Sequence, residues 1–429
     1  MRAVLLLGVL GALCLPAAER PNFVLIVSDD QGYADISCYD HPPEVSTPHL
    51  DRIAQEGARM TNGYASCPVC SPTRAGLLTG RYQQRFGFYQ APDSRTGLPT
   101  SERTLADLLR AAGYATAVFG KWHLGYDPAF RPLRRGFDEF YGFLGHGGHD
   151  FFDLSLSGPV TSIYRNDEPI ADQGYLTRNL TREAVSFVER RRDEPFFLYL
   201  PYNAVHNPIQ APAEVVERFD AGDAQRNTYL AMLAVMDEGV GAVLEALDRH
   251  GLADNTLVLF FSDNGGARGT SANNGKLRDY KHSVYEGGIR VPFLARWPAR
   301  IPAGRVVDEP VISIDAFQTI LTAAGVEPPG DRIYDSRDIM LALRGELEGP
   351  LHEALFWNWT ERDSDRGWAV RKGRWKLVSN KGETELFDLE TDLSETRDLA
   401  IRQPETVREL RRDYEAWRDA MAPRMARRR

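Results

Sequence analysis

The run Cys70-Ser71-Pro72-Thr73-Arg74-Ala75-Gly76-Leu77-Leu78-Thr79-Gly80-Arg81 puts a sulfur nucleophile at the mouth of a helix. The spacing predicts Ser71 as N-cap and Pro72 as the first helical residue, where a missing N–H costs nothing. Cys70 would then face free backbone N–H groups and the positive end of a helix dipole, a setting that holds anions. Arg74 falls one turn further on, on the same face, and adds a full positive charge. The same residues also suit a plain capped helix with a buried thiol beside it.

Two further runs carry ligand chemistry. The apolar stretch Phe23–Val27 leads into Ser28-Asp29-Asp30, and Thr256–Phe261 leads into Ser262-Asp263-Asn264. Open α/β sheets gather ligands at the carboxyl ends of their strands. Three carboxylates and an amide oxygen form a hard, all-oxygen set that suits Ca²⁺ or Mg²⁺ better than zinc. Each acidic pair alone is common in turns, and it is their repetition at two strand ends that points to a cation. Lys121 and His123 leave another strand end on Gly120-Lys121-Trp122-His123, where an ammonium and an imidazole could meet a bound anion.

Cys-x-Pro-x-Arg followed by Leu-Leu-Thr-Gly-Arg resembles the maturation signature of the type I sulfatases, and Pro68 to Gly80 fit it without a gap. The segment Gly113-Tyr114-Ala115-Thr116-Ala117-Val118-Phe119-Gly120-Lys121-Trp122-His123 resembles the second signature of that family. Further matches reach from Asp29 to about Leu399.

The resemblance implies that Cys70 is oxidised to formylglycine by a formylglycine-generating enzyme, and that the hydrated aldehyde attacks sulfur. It makes Asp29, Asp30, Asp263 and Asn264 the metal ligands, with residue 70 also reaching the ion. It assigns Arg74, Lys121, His123, His206 and Lys281 to the catalytic set. His206 follows the strand Phe196–Leu200 and matches a histidine that contacts the sulfate ester. Lys281 precedes Tyr285-Glu286-Gly287-Gly288, at the spacing of a lysine that touches sulfate. Lys276 competes for that register, and His282 stands where the family pattern has glycine. In the implied reaction Lys121, Lys281 and His206 neutralise the sulfuryl oxygens, and Lys281 or His206 protonates the leaving oxygen. His123 then takes a proton from the second hydroxyl to expel sulfate.

The implied function is release of inorganic sulfate from a sulfate ester, with a sulfated carbohydrate as the expected substrate. A phosphodiester or phosphonate monoester hydrolase shares nucleophile and fold and is the nearest alternative. A silent anion- or carbohydrate-binding protein with unconverted Cys70 is the other. The loop Gly145-His146-Gly147-Gly148-His149-Asp150 is a candidate for facing substrate, and Trp357 or Trp359 for stacking on a sugar.

Composition agrees with an enzyme of this kind. A chain of 429 residues has room for a large domain and a smaller one, and its net charge of -9 argues against nucleic acid as a partner. Met1-Arg2, the apolar run Ala3–Leu15 and Pro16-Ala17-Ala18 read as a secretory signal peptide over residues 1–18. Export to the periplasm or outside, or to a lysosome in a eukaryote, follows. That run is too short to span a bilayer, and no later segment is apolar enough for membrane insertion. Signal removal leaves Cys38, Cys67 and Cys70, so conversion of Cys70 would free Cys38 and Cys67 to pair. A Cys67–Cys70 zinc or redox pair lacks further ligands nearby. Asn179 and Asn358 head Asn-x-Thr glycosylation sequons.

The elements that must position these residues alternate between strand and helix. Strands are predicted at Phe23–Val27, Tyr114–Phe119, Phe196–Leu200, Thr256–Phe261 and Val291–Arg296. Helices are predicted from Thr47-Pro48 to about Gly57, from a Ser101 cap to Gly113, over 175–192 and 225–249, and near Ala316–Ala324. The order implies an α/β fold, an alkaline-phosphatase-like and mostly parallel sheet between helices, over residues 19–345. Residues 346–429 change texture. Trp368–Arg371, Trp375–Val378 and Glu385–Asp388 alternate like a small antiparallel sheet, followed by a helix from about Pro404 to Met421.

Overall fold

The structure, a computed structural model, describes residues 20–39, 42–92, 96–145, 148–361 and 364–425. The segment read as a signal peptide lies outside the described residues, as do His146 and Gly147 of the glycine-histidine loop.

The first half of the chain contributes strands β1 Asn22–Ser28, β2 Ala58–Met60, β3 Gly63–Tyr64, β4 Ala115–Lys121, β5 Glu139–Phe143, β6 Ile163–Arg165, β7 Glu168–Ile170 and β8 Phe196–Pro201. The second half adds β9 Thr256–Ser262, β10 Phe293–Arg296, β11 Arg305–Val307 and β12 Val311–Ile312, then β13 Leu355–Glu361, β14 Ser364–Lys372, β15 Trp375–Asn380 and β16 Glu383–Asp388. The helices are α1 Pro48–Gln55, α2 Cys70–Thr79, α3 Leu105–Ala111, α4 Leu176–Arg190 and α5 Ala213–Val216. They continue with α6 Ala224–Arg249, α7 Glu286–Ile289, α8 Asp315–Ala324, α9 Met340–Arg344 and α10 Pro404–Asp419.

Ten strands form one sheet in the order β11-β2-β10-β9-β1-β8-β4-β5-β6-β7. Its centre is parallel: β1 pairs with both β8 and β9, and β4 pairs with β8 and β5. β10 is antiparallel to β9, and β6 and β7 fold back antiparallel at the far edge. Because successive strand residues point to opposite faces, β1 splits its apolar run between two cores. Val24 and Ile26 pack with α1, α4 and α6 on one face, and Phe23, Leu25 and Val27 pack with α2, α3 and α8 on the other. Each such side chain contributes about 1.5–3 kcal/mol when fully buried. Two-sided burial is why these central strands read as continuous apolar runs rather than alternating ones.

β13 to β16 form a second sheet, fully antiparallel and in sequence order. It packs against α10 through Trp368, Tyr414 and Trp417, and against the large domain through Tyr64, Tyr285 and Ile289.

The longer elements stand where the sequence places them, but the short strands β2, β3, β5, β6, β7, β11 and β12 had no counterpart in the sequence reading, and three further differences stand out. The helix expected from a Ser101 cap begins later: Thr104 is its N-cap, in a capping box with Asp107, because the Thr104 hydroxyl and the Asp107 carboxylate satisfy each other's backbone N–H groups. Ser71 is not the N-cap of α2. That helix starts at Cys70 after an extended Val69, and Pro72 still lies within the first turn, where its lack of N–H is harmless. The first strand of the small sheet, β13, is missing from the sequence reading, which took Trp357 and Trp359 as isolated aromatics.

No helix among the described residues is long and apolar enough to cross a membrane.

Candidate active site

The parallel strands β1, β4, β8 and β9 all deliver their carboxyl ends to one edge, and the predicted catalytic and metal-binding residues gather there from the strand ends, from loops and from the start of α2. Asp29 and Asp30 follow β1, and Asp263 and Asn264 follow β9 in register with it, through the Ser28–Ser262 pair. Lys121 ends β4, and His206 follows β8. Gly120, at φ +139, lets β4 lie against β8: a Cβ there would come within 1.9 Å of the Pro201 carbonyl oxygen.

Cys70 is buried at the first position of α2, and its Sγ lies 3.3 Å from His123 Nδ1. Ser71, relieved of capping, gives its hydroxyl to the His123 carbonyl at 2.6 Å and so fixes the loop that presents the imidazole. Arg74, one turn along α2, is fully buried. Its Nε and Nη2 reach Asp263 Oδ2 at 2.9 and 2.7 Å, and its Nη1 donates to the Lys121 carbonyl at 3.0 Å. Lys121 Nζ is 2.5 Å from Asp29 Oδ2, and Lys281 Nζ is 2.6 Å from Asp30 Oδ1. The latter contact puts Lys281 in the cluster, whereas Lys276 is exposed. His206 Nε2 is 3.5 Å from Asp30 Oδ2.

The acidic groups converge. Ligand atoms of Asp29, Cys70 and Asp263 lie within 4.8 Å of one another, as do those of Asp29, Asp30 and His206. Asn264 joins through its Nδ2, which donates to Asp30 Oδ1 at 2.7 Å. Asp29 Oδ1 and Asn264 Oδ1 are buried and accept no hydrogen bond from the described residues. Buried acceptors are rarely left in this state, and a cluster of hard oxygens is what a divalent cation requires.

Electrostatics follow from this crowding. Burial raises the Asp29 pKa, but Lys121, His206, Arg74 and Lys281 outweigh it and hold the group below the usual carboxylate range. Burial likewise opposes ionisation of Asp30, and Lys281 with His206 overcomes it. Asp263 goes the other way, pushed up to about 6 by burial and by the neighbouring Asp29 despite Arg74. Burial also pushes the Cys70 thiol up, against Lys121 and Lys281, so the plain cysteine is a poor thiolate here. Burial would lower the Lys281 pKa, but Asp30, Cys70 and Asp29 hold its ammonium well above the ordinary range. Two site residues adopt left-handed backbone conformations that non-glycine residues avoid, Asp30 at φ +61 and His123 at φ +59. Backbone strain of this kind persists where surrounding structure enforces a required geometry.

Several expectations are corrected. Cys38, Cys67 and Cys70 are all free thiols. Cys38 packs against the α1/α6 core, beside Asp51 and Arg59, while Cys67 precedes α2 next to Cys70, so no Cys38–Cys67 disulfide forms. Trp357 is fully buried and donates its indole N–H to the Ala65 carbonyl at 2.8 Å, so it ties the small sheet to the segment after β3 and does not stack on a sugar. Trp359 is also buried, and its ring stacks on His282. His149 is buried against Phe143, with Nδ1 2.6 Å from the Asp150 carbonyl. Asn179 is buried in α4 with its amide on the Gln173 carbonyl, and the Asn358 amide donates to Tyr414 Oη at 2.7 Å. Both sequons are therefore engaged in packing.

The family profile described as Sulfatase matches residues 21–326. The chain belongs to the sulfatase family. A second profile, described as N-sulphoglucosamine sulphohydrolase, C-terminal, matches residues 277–417. Among curated relatives, the sulfatase is 37% identical to the steryl-sulfatase of Mus musculus, over 80% of this chain and 68% of that protein. It is 36% identical to the N-acetylgalactosamine-6-sulfatase of Homo sapiens, over 80% of this chain and 73% of that one. Among solved structures, the crystal structure of Ps i-CgsB in complex with k-i-k-neocarrahexaose superimposes with a TM-score of 0.89 and 34% identity, covering 94% of each chain.

Sequence reasoning missed the supports of this sulfatase site. Asn274 receives the Gly266 N–H and donates to the Gly287 carbonyl at 3.0 Å, tying the loop after β9 to the Glu286-Gly287-Gly288 turn. Ser262 Oγ bridges the Gln31 N–H and the Asn264 carbonyl. Asn and Ser in loops give no signal of such roles without the fold.

Proposed function

We propose that this sulfatase hydrolyses sulfate esters carried by saccharides, using a formylglycine made from Cys70 and a divalent cation, Ca²⁺ or Mg²⁺. The observation that carries the reading is the meeting of Cys70 Sγ with the Asp29 and Asp263 carboxylates within 4.8 Å, beside His123 at 3.3 Å. Asp29, Asp30, Asp263 and Asn264 would hold the cation, which would favour an anionic oxygen at residue 70 and screen the approaching sulfate. Formylglycine supplies a hydrated aldehyde with one oxygen to attack sulfur and a second to close the carbonyl again, which a thiol cannot do.

The chain's own residues perform the remaining tasks. Arg74 keeps Asp263 oriented and holds positive charge behind residue 70. The ammonium groups of Lys121 and Lys281 surround the position of the sulfuryl oxygens from β4 and from the loop before α7. The proton for the leaving oxygen comes from Lys281 or His206, which flank Asp30 on two sides. His123 Nδ1 is placed to remove a proton at residue 70. Cys70 in this structure occupies the place of the aldehyde carbon and its oxygens.

The saccharide as carrier is supported by the match to a structure determined in complex with a neocarrahexaose. Export of the chain and its encounter with a formylglycine-generating enzyme belong to the same proposal, resting on the residue 1–18 pattern and the intact signature around Cys70. Peptide mass analysis of protein coexpressed with that enzyme should find an aldehyde at residue 70. Aryl sulfate turnover should follow the converted fraction and stop on chelation. Activity that is unchanged in Cys70→Ala would defeat the proposal.

A further inference from the structure

Asp29 and Asp30 open the loop after β1, and Asp263 and Asn264 open the loop after β9. A carboxylate outside this ligand set ties the two loops together. Asp35, further along the first loop, is fully buried. Its Oδ2 accepts Tyr229 Oη from α6 at 2.7 Å and the backbone N–H of Asn273, in the second loop, also at 2.7 Å. Its Oδ1 lies 2.8 Å from Nη2 of Arg226, on the preceding turn of α6. The same partners hold the loops elsewhere. Tyr229 Oη accepts the Gly32 N–H at 3.4 Å, and Arg226 Nη1 donates to the Ser271 carbonyl at 2.9 Å. The Ala34 N–H donates to the Asn273 carbonyl at 3.0 Å. Gln31 Nε2 donates to the Asp35 carbonyl at 2.7 Å, which fixes the turn between Asp35 and the ligand pair. The loops interlock closely: a Cβ at Gly32 would come within 2.2 Å of the Asn273 carbonyl oxygen, and one at Gly266 within 2.9 Å of Gly32 Cα.

Asp35 belongs to neither group of ligand atoms that gathers at Asp29. A buried carboxylate adds little net stability even when paired, but its oxygens can accept donors from several segments at once and so fix their relative positions. The cation site needs such a restraint, because Asp29 and Asp263 carry like charge and repel each other across it. We infer that Asp35 is a positioning residue for the cation: through Tyr229 and Asn273 it holds the Asp29–Asp30 and Asp263–Asn264 loops at the spacing the ion requires. Binding then does not have to draw the two loops together against their repulsion. The inference rests on the divalent-cation reading proposed above.

The test is calorimetry of calcium, then magnesium, binding to the converted enzyme after chelator treatment, with Tm recorded in chelator. It compares wild type with Asp35→Asn, Tyr229→Phe and Asp237→Asn. Asparagine keeps the shape of Asp35 but turns an amide donor towards groups that are themselves donors. Phenylalanine removes only the hydroxyl that reaches Asp35 and Gly32. Asp237 is the control, a buried carboxylate on the same helix that accepts the Leu50 and His49 N–H groups of α1 at 2.8 and 3.2 Å. Calcium Kd should rise about tenfold or more in Asp35→Asn, and about threefold to tenfold in Tyr229→Phe. In Asp237→Asn Tm should fall while Kd stays within about twofold of wild type. A wild-type Kd in Asp35→Asn or Tyr229→Phe would make Asp35 a strut of the fold and overturn the inference. An equal rise in Asp237→Asn would overturn it too, because loss of stability alone would then weaken binding. If Asp35→Asn does not fold, Tyr229→Phe decides. If the wild type binds neither ion, the cation reading itself fails, and the role of Asp35 fails with it.

Discussion

Removal of one buried ammonium should loosen the joint between the two sheets by a readable amount. Lys376 on β15 is fully buried, and its Nζ is 2.8 Å from Glu286 Oε1 on α7 and 2.8 Å from Glu395 Oε1. Glu286 also receives Tyr64 Oη at 2.7 Å and Arg290 Nη1 at 3.1 Å, whereas Glu395 has Lys376 as its close cation. Lys376→Met would therefore take the counter-charge from a buried Glu395, which must then bind a proton, and removing one partner of a buried pair costs about 3–5 kcal/mol. A chain of 429 residues loses about 0.9 kcal/mol of stability per kelvin near its midpoint, so Tm should fall by about 3–6 °C. Differential scanning calorimetry of the two proteins at pH 7.5 reads this directly. Addition of Glu395→Gln to Lys376→Met should recover at least half of the loss, because no buried carboxylate then has to be neutralised. A Tm for Lys376→Met within 1 °C of wild type would refute the reasoning.

The same joint predicts a pH dependence. Burial and Glu286 push the Glu395 pKa up to about 7, against Lys376, whereas Glu286 is held down at about 2 by Lys376 and Arg290 despite its burial. For Glu395 the folded state binds a proton more tightly than the unfolded chain, whose pKa is about 4.3. Its contribution is complete below that value and is lost as pH rises towards 7, so stability from this group falls across that window. Glu395→Gln should flatten the Tm–pH curve between pH 4.5 and 7, and a curve parallel to wild type would count against the assignment. At the cation site Asp263, pushed up to about 6, makes protons competitors of the ion. Calcium affinity measured by calorimetry should fall by up to about tenfold per pH unit below 6, and a flat profile would contradict it. His123→Ala should lower kcat for an aryl sulfate by about 10²-fold or more while leaving Tm near wild type, if the imidazole takes the proton at residue 70 as proposed.

Much of this arrangement was legible from residue types because the acidic pairs stand at strand ends. The apolar runs before Asp29 and Asp263 announced two buried parallel strands, and their carboxyl ends had to share an edge. Lys121 became readable for the same reason, as the end of a third such strand. The helix around Cys70 was legible in existence but not in its first residue, because Ser71 has the chemistry of a cap and found a better partner in the His123 carbonyl. Thr104 displaced Ser101 as a cap through a reciprocal bond with Asp107, a choice decided by three-dimensional fit. The two tryptophans of β13 were ambiguous because an exposed sugar platform and an interdomain contact use the same residue. Only the burial of Trp357 against Ala65 separates them. The cysteine arithmetic failed because it counts thiols without their positions: Cys38 lies beside Asp51 and Arg59, and Cys67 beside Cys70.

The central claim is that residue 70, after conversion, releases sulfate from a sugar ester. Ion chromatography of a panel of sulfated mono-, oligo- and polysaccharides, treated with the converted enzyme and with Cys70→Ala, tests it most directly. Sulfate should appear with the converted enzyme alone and vanish on chelation. No sulfate from any member, with peptide mass proving the aldehyde at residue 70 and phosphate diesters cleaved instead, would contradict it.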